Sequence, residues 1–305
     1  MPGRTTPCAM KSGSSIVRLG LVQQRIRATR KQTVEAAEQA VVDAHKRGAQ
    51  FVCLQELFAD PYFCQVEDPA YFSLAEPCDG ELVSRFRALS ARLGISLMIP
   101  FFERRAPGLF HNSAVIAGPQ GQQLALYRKM HIPDDPQFME KFYFTPGDLG
   151  YMAVDTPALR VGPLICWDQW YPEAARLTAL HGAEVLVYPT AIGWLPSEKL
   201  SEGAAQLDAW KTIQRSHAIA NGTFVVAVNR VGQEGDPQTG IEFWGHSLVV
   251  DPLGRVLAEA GEDEETLIVD IDRGAIEETR KWWPFFRDRR IDSFADLQKR
   301  WLQNQ

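Results

Sequence analysis

Three side chains of complementary chemistry, a thiol, a carboxylate and an ammonium, stand at the ends of apolar runs. Cys166 follows Arg160-Val161-Gly162-Pro163-Leu164-Ile165, which reads as a strand. A helix is expected from Pro172-Glu173-Ala174-Ala175, since proline suits the first helical position. A side chain on such a strand-to-helix turn projects at the carboxyl end of a sheet, where open α/β proteins bind ligands. Backbone N–H groups there can hold an oxyanion and favour a thiolate. The alternative for Cys166 is a buried structural cysteine, the commoner fate of the residue type. Cys53 and Cys64 are read as core or loop residues. Glu56 lies just beyond Phe51-Val52-Cys53-Leu54, and Lys129 just beyond Leu124-Ala125-Leu126-Tyr127. Each alone reads as a solvated strand terminus. Beside a thiol, the carboxylate is a base for its proton and the ammonium holds developing negative charge.

Missing motifs narrow the field. There is no Gly-x-Gly-x-x-Gly after a strand, no Walker loop, no His-Glu-x-x-His and no Gly-x-Ser-x-Gly. The six histidines form no metal-spaced pair, and the five cysteines form no Cys-x-x-Cys. No metal and no cofactor are therefore expected. The 305 residues carry 32 Lys plus Arg against 38 Asp plus Glu, a net charge of −6. That balance argues against nucleic acid as a partner. No apolar run approaches the roughly 18 residues a membrane helix needs. Residues 1–15 are small and polar and lack a signal peptide's apolar centre, so they read as a flexible tail. The expected compartment is the reducing cytoplasm.

The elements that must carry these groups recur in one order. The first half offers strands over 16–23, 51–54 and 95–101, with helices over about 30–47 and 79–93 between them. Thr29-Arg30-Lys31-Gln32 reads as a capping box, Val34, Ala37, Val41 and Ala44 as a buried helical face, and Gly48 as the stop. A hairpin follows, 114–117 and 124–127 around Gly118-Pro119-Gln120-Gly121. The second half offers strands over 159–165, 184–188 and 223–228, helices over 172–180 and 205–220, and a hairpin around Asp251-Pro252-Leu253-Gly254. A last strand is expected over 267–271. Two copies of one order suggest two sheets packed face to face with helices outside; one long doubly wound sheet is the alternative. Residues 16–280 then form the main domain. Residues 281–305, with Trp282, Trp283, Phe285 and Phe286 beside Arg287, Arg289 and Arg290, are too apolar for a free tail. They pack either on their own domain or on a partner subunit.

Three segments together, Gln55-Glu56-Leu57-Phe58, Tyr127-Arg128-Lys129-Met130-His131-Ile132-Pro133 and Ile165-Cys166-Trp167-Asp168-Gln169-Trp170, resemble the carbon–nitrogen hydrolases of the nitrilase superfamily. The resemblance runs from about Arg18 to about Arg290. It implies a four-layer αββα sandwich and a triad of Glu56 as general base, Lys129 and Cys166 as nucleophile. A second glutamate falls on Glu140. Tyr62, Asp168 and the backbone N–H of Trp167 are its implied supporting or substrate-positioning groups. It also implies a homo-oligomer, a dimer or higher. The segments His131-Ile132-Pro133-Asp134-Asp135-Pro136 and Cys166 to Arg176 most resemble the superfamily's amidases for a small cationic ureido substrate. The residues agree with that class. Relatives for ureido acids hold the substrate carboxylate with arginine, whereas these segments carry Asp134, Asp135, Glu140 and Asp168. An ammonium would pair with them or lie over Trp167, Trp170 or Trp194. The competing readings are a related amidase for an N-carbamoyl amino acid or ω-amide, and a non-catalytic binding protein on the same scaffold.

Overall fold

A computed structural model describes residues 15–303, so the tail expected over 1–15 lies outside the described residues except for Ser15. In chain order the elements are β1 Ile16–Gln23, α1 Arg30–Lys46, β2 Phe51–Leu54, α2 Glu81–Leu93, β3 Ser96–Ala106, β4 Leu109–Ala117 and β5 Gln123–Arg128. After these come β6 Val154–Asp155, β7 Arg160–Pro163, α3 Pro172–Leu180, β8 Val185–Pro189, β9 Gly193–Trp194, α4 Gly203–Asn221 and β10 Phe224–Val228. The chain closes with β11 Val231–Glu234, β12 Ile241–Trp244, β13 Leu248–Val250, β14 Val256–Glu259, β15 Glu265–Asp272 and α5 Gly274–Trp282.

The strands form two six-stranded sheets, β15-β1-β2-β3-β4-β5 and β14-β13-β10-β8-β7-β6. In each, three parallel strands sit at the centre and antiparallel strands at the flanks. The repeated order in the sequence is thus two half-folds. Each half lends its outlying strand an antiparallel neighbour: β15 returns to β1, and β6 lies beside β7.

Strand alternation decides the layers. Phe51 and Cys53 point into a core shared with Val161, Val185, Val187 and Val226, between the two sheets. Val52 and Leu54 point the other way, onto Ala37, Val41, Val83 and Phe86 of α1 and α2. On the opposite side, Ala174, Ala175, Trp210 and Ala218 of α3 and α4 cover the second sheet. This is the αββα sandwich; the single doubly wound sheet is excluded.

Thr29 caps α1, its side chain accepting from the Gln32 N–H at 3.2 Å. Several elements went unread. β3 continues past residue 101 through Glu103-Arg104-Arg105, because its ladder with β4 persists where the apolar pattern ends. A three-stranded sheet, β11-β12-β9, is built of short strands, and helix α5, which buries Ile276 and Thr279 on one face, has no capping side chain at Arg273 to mark its start. The aromatic C-terminal segment packs only in part. Phe286 lies under the Arg176 and Arg280 guanidiniums, at 4.9 and 4.7 Å. Trp282 and Trp301 remain 76% and 79% exposed.

Gly162 in β7 sets how closely α3 approaches the sheet that leads to Cys166. A Cβ there would stand 2.4 Å from Thr178 Cγ2 and 2.8 Å from Ala183 Cβ. Gly162→Ala is expected to cost about 1–3 kcal/mol by overpacking. A denaturant midpoint unchanged from wild type would contradict that contact.

Candidate active site

Glu56 and Lys129 reach one point from two strands of the first sheet. β2 is buried along its whole length, and the chain turns immediately after it, so Glu56 is fully buried. That turn is pinned from the other half of the fold. The buried Arg230 donates to the carbonyls of Glu56, Leu57 and Asp60 at 3.3, 2.8 and 3.1 Å, while Glu234 pairs with it at 2.9 Å. Lys129 follows β5, its N–H donating to the Asn112 carbonyl at 2.8 Å. Its ammonium is also fully buried, donating to Glu56 Oε1 at 2.8 Å and to Glu140 Oε2 at 2.7 Å. The Asn112 amide donates to Glu56 Oε1 at 2.7 Å, and the Tyr62 hydroxyl to Glu140 Oε1 at 2.7 Å. Of the four carboxylate oxygens of Glu56 and Glu140, Glu56 Oε2 is the one with no hydrogen-bond partner among the described residues, and the Asn112 amide oxygen also lacks one.

The charges explain one another. Burial favours the neutral amine of Lys129, but the carboxylates of Glu140 and Glu56 outweigh it and hold the pKa well above the ordinary lysine range. Burial raises Glu140 to about 7, with Lys129 opposing and Glu56 adding to the rise. Tyr62 is driven upward by burial and then by Glu140, so it keeps the proton it donates.

Cys166 comes from the second sheet. β7 ends at Pro163, and Cys166 opens a 3₁₀ turn, Cys166–Trp170, that leads into α3. Its φ of 40° lies in the left-handed region that non-glycine residues seldom occupy. Such strain persists where surrounding structure enforces it, and it aims a side chain. Sγ lies 3.8 Å from the Ala191 carbonyl. Burial and then Glu56 push the thiol well up, with Lys129 pulling the other way. The resting sulfur is a thiol and needs a base to become a nucleophile.

Cys166, Glu140 and Trp167 line one cavity of about 430 Å³. Its charged lining is acidic: Asp135 and Glu198 join Glu140, and no arginine, lysine or histidine lines it among the described residues. Trp170 and Trp244 add aromatic faces. Three expected places beside the substrate are corrected here. Asp168 does not line the cavity; it is fully buried beneath the Cys166 turn. Asp134 lies outside as well and faces Lys141 at 3.8 Å. Trp194 is turned away, its N–H donating to the Gly203 carbonyl at 2.9 Å and its face under the Lys199 ammonium; Trp244 stands in its place. Asn112, Arg230 and Glu198 went unread. His111-Asn112-Ser113, a polar run opening an apolar strand, was a readable sign of the first. Nothing local marks the other two.

The chain matches the carbon-nitrogen hydrolase family over residues 18–281. The N-carbamoylputrescine amidase of Solanum tuberosum is 42% identical over 272 residues, covering 87% of this chain and 89% of that protein. A citrullinase of Francisella tularensis is 34% identical over 287 residues, covering 93% and 99%. The crystal structure of a carbon-nitrogen hydrolase from Helicobacter pylori G27 superposes with a TM-score of 0.91 at 48% identity, over 94% of this chain and 100% of that one. A buried thiol, a lysine shared by two carboxylates, the two-sheet sandwich and a family match over most of its length place this chain among the carbon–nitrogen hydrolases of the nitrilase superfamily.

Proposed function

We propose that the enzyme hydrolyses the ureido C–N bond of N-carbamoylputrescine to putrescine, CO₂ and ammonia. The observation that carries this reading is a cavity holding a cysteine whose charged lining is wholly acidic. An ω-ammonium gains charge pairing from Asp135 or Glu198 and can lie over a tryptophan face. An ω-carboxylate would meet like charge with no fork to receive it. The similarity to plant N-carbamoylputrescine amidases points the same way.

The chemistry follows from the partners of each atom. Cys166 Sγ attacks the ureido carbon as its proton passes to Glu56, whose Oε2 is free to take it. The oxyanion is held by the Lys129 ammonium and by the Trp167 N–H, which belongs to the second residue of the 3₁₀ turn and so lies among groups without a partner inside it. Glu56 gives the proton to departing ammonia, leaving a thiocarbamate on sulfur. Glu56 then takes a proton from water as it attacks that carbon. Collapse frees the thiol and a carbamic acid, which releases CO₂ and putrescine. Glu140 keeps Lys129 charged and aligned, and Tyr62 in turn holds Glu140.

This reaction serves polyamine synthesis, and we assign it to the cytoplasm, where Cys53, Cys64, Cys78 and Cys166 keep the free-thiol state they show. We also propose a homo-oligomer, at least a dimer, in which the exposed aromatic segment from Trp282 crosses to a partner subunit.

Cys166→Ser and Glu56→Gln are each expected to lower kcat by several orders of magnitude, because the groups act as a unit. Lys129→Met should do the same and also cost about 3–5 kcal/mol of stability, by leaving buried carboxylates unpaired. Ammonia release near the wild-type rate in Cys166→Ser would refute the mechanism.

N-carbamoylputrescine should be preferred over N-carbamoyl-β-alanine and citrulline by about two orders of magnitude in kcat/KM, the cost of burying an unpaired carboxylate. Equal values, or preference for an acid, would overturn the cationic reading.

Light scattering should return at least twice the chain mass for the intact protein, and a smaller mass after truncation at Lys281. A monomeric intact protein would refute the assembly.

A further inference from the structure

We infer that Asp168 is a positioning residue for the hydrolysis: its carboxylate braces the Cys166 turn of one sheet against the strand end of the other sheet that carries Lys129. The inference rests on the Cys166–Lys129 reading above, and goes beyond it by assigning how their separation is held.

Both oxygens of Asp168 are used, and they are used across the two halves of the fold. Oδ2 accepts from the Ile165 N–H at 3.0 Å, the residue directly before the nucleophile, and from the Tyr127 hydroxyl at 2.7 Å. Oδ1 accepts from the His131 N–H at 3.0 Å and lies 2.8 Å from His131 Nδ1. Tyr127 and His131 flank Lys129 by two residues on either side. One carboxylate therefore ties down the chain on both sides of the lysine and the backbone just before the cysteine. Tyr127 belongs to β5 of the first sheet; Ile165 continues from β7 of the second.

The brace is built to be stiff. Asp168 and Tyr127 are fully buried. The His131 ring stacks on Tyr171, with centroids 3.7 Å apart and planes 7° from parallel. Burial and then Asp168 push the Tyr127 hydroxyl well up, so it remains a donor. The next residue, Gln169, anchors the same turn from the other side. Its side-chain oxygen accepts from the Trp210 indole and the Gln214 amide, each at 2.8 Å. The left-handed Cys166 backbone thus lies between two buried anchors. Asp168 does not line the cavity, so its effect on substrate is indirect.

An amide cannot replace this carboxylate. Whichever way the side chain introduced by Asp168→Asn turned, its NH₂ would face a backbone N–H that cannot accept, from Ile165 or from His131. Tyr127→Phe is the milder, charge-neutral variant, removing one of the bonds to Oδ2.

The test measures kcat, KM and the pH dependence of inactivation by iodoacetamide, per folded enzyme by circular dichroism. Asp168→Asn is expected to lower kcat about 100-fold and Tyr127→Phe about tenfold, the range for misplacing a catalytic group by up to an ångström. KM for N-carbamoylputrescine should stay within about twofold in both, since uniform binding is untouched. In Tyr127→Phe the inactivation midpoint should rise by roughly half a pH unit, as the thiol loses part of the nearby ammonium. A purely structural role would leave that midpoint in place. If Asp168→Asn fails to fold, Tyr127→Phe alone decides. Wild-type kcat and midpoint in folded Tyr127→Phe overturn the brace while Cys166→Ser stays inactive. Activity in Cys166→Ser would instead overturn the underlying reading.

Discussion

The site depends on one buried ammonium shared by two carboxylates. Glu56, Lys129 and Glu140 are all fully buried, and Lys129 lies within 2.8 Å of both acids. The cation between them offsets the repulsion of two like charges held near each other. With it, the cluster holds a base and a cation in a dry place, where electrostatic interactions act at greater strength than in water. Everything else nearby serves to keep those three groups together: Asn112 on Glu56, Tyr62 on Glu140, and Arg230 on the turn behind Glu56.

The second constraint is that the nucleophile comes from a different sheet. Packing two six-stranded sheets face to face brings β2 against β8 and β5 against β6, the two strands that flank β7, so a cysteine in one half comes within electrostatic reach of a base and a cation from the other. Hydrophobic packing fixes the distance between layers but is non-directional. Directional contacts must set the register of catalytic atoms. Arg230 supplies them from the second half to the Glu56 turn, and Asp168 from the Cys166 turn to the Lys129 strand. Both are fully buried; both oxygens of Asp168 and the two terminal nitrogens of Arg230 are occupied by hydrogen bonds, while Arg230 Nε has no partner.

The sequence is legible where periodicity or motif speaks. The boundaries of β1, β2 and α3 can be read to the residue, because apolar runs and a proline mark them. The doubled order of elements suggests the sandwich but fits one long doubly wound sheet as well, and only the strand pairing separates them. β9 is two residues long, and β12 has a mixed pattern set by contacts with β9 and β11, so neither has a local signal. Glu56, Lys129, Glu140 and Cys166 stand out through strand ends and motif resemblance. Asp168 and Trp194 stand out as well, but with the wrong surroundings. Whether a charged or aromatic side chain faces a cavity or the core depends on partners outside its own element, here Tyr127 for Asp168 and Gly203 for Trp194. Glu198 precedes α4 and gives no sign of its place on the cavity wall.

The features that suit this site to its chemistry work against folding. Cys166 occupies a left-handed backbone conformation, and such strain costs on the order of 1–3 kcal/mol. Glu56 Oε2 is buried without a partner, which costs a similar amount. Neither would survive on a loosely held loop. Each follows closely on an interior strand of a sheet, β2 and β7, where a strand on either side and the core between the sheets leave the backbone little freedom to relax. The strained turn is then closed by Asp168 and Gln169, and the acid's turn by Arg230. The rigid sandwich therefore holds the thiol and its base in positions that neither would adopt alone, and leaves Glu56 with an open acceptor for the proton that the reaction must move.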